Sequence, residues 1–178
     1  MLRKLKRYHS FGIVLVVALG ILLHFLYQWS SKNPVVAAIS PVNESVWEHL
    51  KMFFIPYLIY SIVQFFVLRE HFPNVIGSNA IGVIVGILST IIVFYTYSGI
   101  IGKSNGLVDI LIFVGSIYLS FMVSGFLMKN RYGRNTYYQI IGVLIFIILL
   151  VLFILFTYFP IHINLFRDPM EGTYGLRK

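Results

Sequence analysis

The sequence predicts an all-α integral membrane protein, a single domain of about five transmembrane helices, and three observations carry that prediction. Of its 178 residues 58% are hydrophobic and 11% charged, with a mean hydropathy of +0.86, whereas a soluble domain carries roughly 25% charged residues. The apolar residues also fall into five runs near the length of about 20 residues that a hydrocarbon layer of about 30 Å requires. Finally, the Lys and Arg behind the net charge of +8 sit beside those runs. That pattern reads as membrane topology and not as a nucleic-acid footprint, so the expected partner is membrane lipid and no nucleic acid. Cysteine is absent, which excludes disulfides, thiolate nucleophiles and thiolate-ligated metal.

The first span covers about 11–29 and follows Arg3, Lys4, Lys6 and Arg7. This is the pattern of an uncleaved signal-anchor with Tyr27 and Trp29 at the far interface. A cleaved signal peptide competes with it, but the small residues around Ala37 and Ala38 lie far beyond the apolar run. Asn33-Pro34 breaks the helix. The second span covers about 48–68 and contains Pro56, which removes a backbone bond and should bend the helix. Two start signals compete: Ser40 as N-cap with Pro41 behind it, or Ser45 with Glu48 three residues on as a capping box.

The third span, about 79–99, carries Ser78, Gly82, Gly86 and Thr90 at four-residue spacing, and the fourth, about 107–128, carries Ser116, Ser120 and Ser124 likewise. Small residues in register let helices approach closely, so these two spans should pack on each other, or serve a homo-oligomer contact. A polar channel lining is the competing reading. The fifth span, about 138–159, is apolar all round and is expected to be the most lipid-exposed. A tail over 160–178 follows, in which Asp168-Pro169 and Glu171-Gly172 are turn signals and Leu165-Phe166 an apolar anchor.

Five spans place the N-terminus, the Arg69-Glu70-His71 loop and the 129–134 loop on one side. Together these hold eight of the fourteen Lys and Arg, so that side is expected to be cytoplasmic and the C-terminus extracytoplasmic, in a bacterial cytoplasmic membrane. Glu44, Glu48, Asp109, Asp168 and Glu171, five of the six acidic residues, then lie outside. So do three histidines. His24 falls roughly 7 to 9 Å below the outer boundary, His49 begins the second span, and His162 follows the fifth. His9 and His71 read as ordinary interfacial residues.

The polar island is residues 40–51, Ser-Pro-Val-Asn-Glu-Ser-Val-Trp-Glu-His-Leu-Lys. Gly20, His24 and Gln28 make a stripe on the first span, and Tyr57, Tyr60, Ser61 and Gln64 one on the second. Polar stripes avoid lipid, so the two should face each other around an outward-opening cleft closed by the tail. His24, Asn43, Glu44, Glu48, His49 and Asp168 are the catalytic candidates there, and Trp29, Trp47, Tyr57, Tyr60, Gln64 and Tyr174 the binding candidates. His24, His49 and His162 are the candidate metal ligands, joined by Glu48 or Asp168, with zinc as the metal their chemistry suits. No His-Glu-x-x-His spacing supports it. Metal-free acid and base chemistry by Glu44 and Glu48 is a second reading. A third is plain capping of a helix N-terminus, with Glu48 paired to Lys51.

The combination of His24-Phe25-x-Tyr27-x-Trp29, the 40–51 motif and Leu165-Phe166-x-Asp168-Pro169-x-x-Gly172-x-Tyr174-Gly175 resembles a family of small bacterial integral membrane proteins of unknown function. The resemblance implies a compact multi-span protein with its hallmark residues in these stretches. A looser likeness is to membrane hydrolases related to alkaline ceramidases and adiponectin receptors, which hold zinc with intramembrane His and Asp. This chain has fewer spans and lacks their paired late histidines. The expected function is a lipid-directed hydrolase or an amphiphile-binding protein with an extracytoplasmic site. A small transporter or channel subunit, or a structural, partner-binding membrane protein, stands as the alternative.

Overall fold

In the computed structural model, which describes residues 2–176, the chain is helical throughout. The helices are α1 (Leu2–Trp29), α2 (Pro34–Ala37), α3 (Val46–Leu68), α4 (Val75–Ile101), α5 (Gly106–Lys129) and α6 (Thr136–Tyr158), with a 3-10 turn at Asn164–Phe166. All but α2 are long and apolar enough to cross a membrane. Each exceeds its predicted span at one end or both. Helix α1 runs unbroken from Leu2 because nothing from Arg3 to Ser10 breaks it, and Lys and Arg are good helix formers.

Side chains set the starts. Ser45 caps α3 by accepting from the Glu48 N–H at 3.3 Å, Asn105 caps α5 and Asn135 caps α6. Ser45 therefore wins over Ser40 as the α3 start. Asn33 caps the short α2, a helix absent from the sequence reading, with Pro34 at its first position. At the end of α4, Gly102 takes the left-handed conformation (φ 79°) that closes a helix.

Helix α3 is the centre of the bundle: 61% of its most apolar stretch is buried, against 22% for both α1 and α6. Helix α6 thus shares the most exposed position with α1. Where α1 crosses α3, the proline determines the contact. Pro56 has no N–H for the Met52 carbonyl, and Gly20 of α1 packs against that same carbonyl, so closely that a Cβ there would come within 2.6 Å of it. The small-residue faces of α4 and α5 meet in the same way. Ser120 donates to the Gly82 carbonyl, and a Cβ on Gly82 would stand 2.6 Å from the Ser120 carbonyl.

Contacts between chain-distant segments define the two ends. At one, Lys4 donates to the Val67 carbonyl at 3.3 Å and Asn74 donates to the carbonyls of Leu127 and Tyr132. At the other lie the 40–51 motif, the 30–39 loop and the tail. His9, expected at an interface with solvent, is instead buried between α1 and α5, donating from Nδ1 to the Phe121 carbonyl at 3.0 Å.

Candidate metal centre at the motif end

The motif is stitched to α1 at its first residue. The Ser40 hydroxyl accepts from the Tyr27 N–H at 3.1 Å and donates to the Leu23 carbonyl at 2.6 Å, entering the α1 backbone ladder in the turn that carries His24. From there the chain runs past Asn43, whose carboxamide oxygen takes the Ser45 N–H at 2.9 Å and shapes the approach to α3.

This path brings His24, Glu44 and His49 together. Each offers one ligand atom, and the three atoms lie within 4.8 Å of one another. The His24 and His49 rings are 5.4 Å apart, and His49 Nε2 stands 3.4 Å from Glu44 Oε2. His49 Nδ1 lies 3.0 Å from the Ser45 carbonyl, which can only accept, so Nδ1 carries the proton. Its Nε2 is thus turned to the Glu44 carboxylate either as an imidazolium N–H or as a lone pair that a cation would bridge. A backbone carbonyl on the second nitrogen is also how metal-binding imidazoles are commonly oriented. Two ligands of a tetrahedral zinc, each about 2.0 Å from the ion, are roughly 3.3 Å apart, close to the separation found here. His24 Nδ1 is buried with no hydrogen-bond partner, an orphan that a ligand would satisfy. The Glu44 carboxyl lies outside the helices and is held below its ordinary value, first by the hydrogen bond from His49 and further by the His49 and His24 charges, against a smaller opposing effect of burial.

The tail positions Glu44. Asp168 is buried, its Oδ2 accepts the Glu44 N–H at 3.2 Å, and its Oδ1 accepts the N–H groups of Met170 and Glu171 at 2.8 and 3.2 Å. Asn43 donates from its carboxamide to the Gly175 carbonyl at 3.2 Å. An isolated antiparallel bridge between Arg167 and Tyr174 folds the tail back on itself. Trp47 anchors it, with ring centroids 4.6 Å from Phe153, 5.5 Å from Phe156 and 4.9 Å from Phe166. His162 is not in the three-residue group; it stands exposed, its ring 4.6 Å from that of Tyr174.

Glu48 serves a different purpose from Glu44. Its Oε2 is 2.6 Å from Lys51 Nζ, both side chains almost wholly shielded, and it also accepts the Val42 N–H at 3.0 Å. Lys51 donates further to the Ala37 carbonyl and to Thr157 Oγ1, each at 2.8 Å, so one buried ion pair joins α3, α6 and the 30–45 loop. The Glu48–Lys51 pair is the one expected from sequence, whereas Thr157 was missed. The i,i+3 spacing of Glu48 and Lys51 signals the pair, but nothing local marks Thr157 as their partner.

The remaining candidates lie elsewhere. Trp29 is exposed and stacks on Phe25 at 5.7 Å, and Phe25 in turn meets the His24 ring at 5.0 Å. The α3 stripe does not line a cleft with α1. Tyr60 donates to the Tyr8 carbonyl at 2.6 Å, Tyr57 is buried against Phe121, and Gln64 accepts from Asn79 at 2.9 Å. These side chains share one face of α3, as their spacing requires, but that face of a central helix meets the junction of α1, α4 and α5, so each reaches a different neighbour.

The fold and this arrangement define a class: a bundle of five helices able to cross a membrane, consistent with a multi-pass membrane protein, with a His/Glu cluster at one end. The chain belongs to a family of unknown function, DUF6512, matched over residues 1–176. No curated protein and no solved structure matches it.

Proposed function

We propose that this protein is a metal-dependent hydrolase of a lipid or other amphipathic substrate, multi-pass in a bacterial cytoplasmic membrane, with its motif end outside. The observation that carries the reading is the convergence of His24, Glu44 and His49 ligand atoms within 4.8 Å. Two imidazoles and a carboxylate are a zinc donor set, and three protein ligands leave a position for substrate, the pattern of catalytic and not structural sites. A metal so held supplies Lewis acidity. The chain's own residues do the rest: Ser45 orients His49, Asp168 holds the Glu44 backbone, and Phe25 and Trp29 offer an apolar face beside His24 for acyl chains.

A transport path is the weaker reading. Gln64 and Ser120, which would line it, are engaged in helix-to-helix hydrogen bonds with Asn79 and Gly82. Metal analysis of the purified protein tests the hydrolase reading. One zinc per chain is expected, lost on His24→Ala or His49→Ala. A wild-type protein that neither retains nor takes up zinc, and whose melting temperature zinc does not move, sinks it.

A further inference from the structure

At the opposite end from the His/Glu cluster, an open surface groove of about 550 Å³ is lined by Arg3, Lys4, Arg7, Tyr8 and Phe11 of α1. We infer that it is a binding site for the phosphate headgroup of an anionic phospholipid from the surrounding leaflet, independent of the metal centre.

Three features carry this. The first is charge without compensation: α1 contains no acidic residue, and among the described residues neither Arg3, Lys4 nor Arg7 has a carboxylate within ion-pair distance, the ion pairs being Glu44–His49 and Glu48–Lys51 at the far end. Lys4 donates to the Val67 carbonyl near the end of α3, which fixes its ammonium beside the two guanidinium groups. Arg3 and Arg7, one turn apart on the same face, are exposed, and the guanidinium fork matches phosphate oxygens.

Depth is the second. Helix α1 has 28 residues, about 42 Å at 1.5 Å each, against a hydrocarbon layer of about 30 Å. The excess of about 12 Å is the basic first two turns, because from Phe11 onward the helix is apolar until its far end. Arg3, Lys4 and Arg7 therefore stand at headgroup level, and Phe11 at the start of the acyl region.

The third is shape. Along the groove the cations give way to Tyr8 and then to Phe11, whose ring lies 6.2 Å from Tyr60 of α3. The site is thus graded from anion-binding to apolar along the membrane normal, as a phospholipid is. A free phosphate would use the cations and leave the aromatic end without a role.

The test uses the full chain in neutral detergent, titrated with short-chain phosphatidylglycerol, short-chain phosphatidylcholine and inorganic phosphate. Phosphatidylglycerol is expected to bind, with phosphatidylcholine and phosphate at least tenfold weaker. Removal of two cations with Arg3→Gln/Arg7→Gln should weaken phosphatidylglycerol about 30-fold. Phe11→Ala, which keeps every charge and lies on an exposed face, should weaken phosphatidylglycerol while leaving phosphate binding unchanged. Equal binding of phosphate and phosphatidylglycerol would overturn the lipid assignment in favour of a free anion. Unchanged affinity in both variants would overturn the site.

Discussion

Lys51 Nζ and Glu48 Oε2 are 2.6 Å apart in a place that water does not reach. Placing an ion pair there costs desolvation, and the pair is held because each partner also has neutral hydrogen bonds: Ala37 and Thr157 for Lys51, Val42 and Thr157 for Glu48. Removing one charge alone strands the other. Lys51→Met is expected to destabilise the protein by about 3–5 kcal/mol in thermal unfolding in detergent. Glu48→Gln added to Lys51→Met should recover a large part of that loss, because no buried net charge remains.

Glu44 behaves differently, being half-exposed and tied to His49. Its carboxyl is held below its ordinary value of 4.5. A depressed folded value means that Glu44 stabilises the fold above pH about 4.5 and that the contribution disappears as pH falls through the lower folded value. In zinc-free protein, the melting temperature of wild type should therefore fall toward acid more steeply than that of Glu44→Gln. Parallel curves would disconnect Glu44 from His49.

Asp168 joins the tail to the site through the Glu44 N–H. Asp168→Ala leaves three backbone N–H groups without their acceptor, a loss of about 1–3 kcal/mol. Faster amide exchange at Glu44, Met170 and Glu171 together is the expected signature. If Glu44 alone stays protected, the tail does not position it.

Gly20 permits the approach of α1 to the Met52 carbonyl that Pro56 leaves free. Gly20→Val should separate α1 from α3 and cost about 1–3 kcal/mol by overpacking. Because His24 lies one turn further along α1, the same variant should weaken zinc binding without touching a ligand. His162→Ala, by contrast, should leave zinc stoichiometry intact.

The charge distribution proposes an orientation: a reporter fused after Lys178 should read extracytoplasmic and one fused before Leu2 cytoplasmic. The reverse result would put the His/Glu cluster on the inner face and remove the outer-leaflet substrate.

What the chain determined by itself is its helical, span-by-span organisation. Runs of apolar residues with Asn, Ser, Pro and Gly at their ends encode helices through local energetics, and a hydrocarbon-length run needs no partner to be recognised. That Glu44, His49 and Asp168 belonged to stretches worth attention was also legible, because polar residues stand out against an apolar background. Tertiary structure decided which of them meet. Three candidate histidines near one end of the bundle resolve into two in the cluster and one on Tyr174. Glu48, one turn from Glu44, turns inward to Lys51 and Thr157, while Glu44 turns outward to His49. Those outcomes depend on how α1, α3 and α6 rotate about their axes, and rotation is set by packing between surfaces far apart in sequence. Gly20 against Met52 and Trp47 against Phe153 and Phe166 are the contacts that set it here.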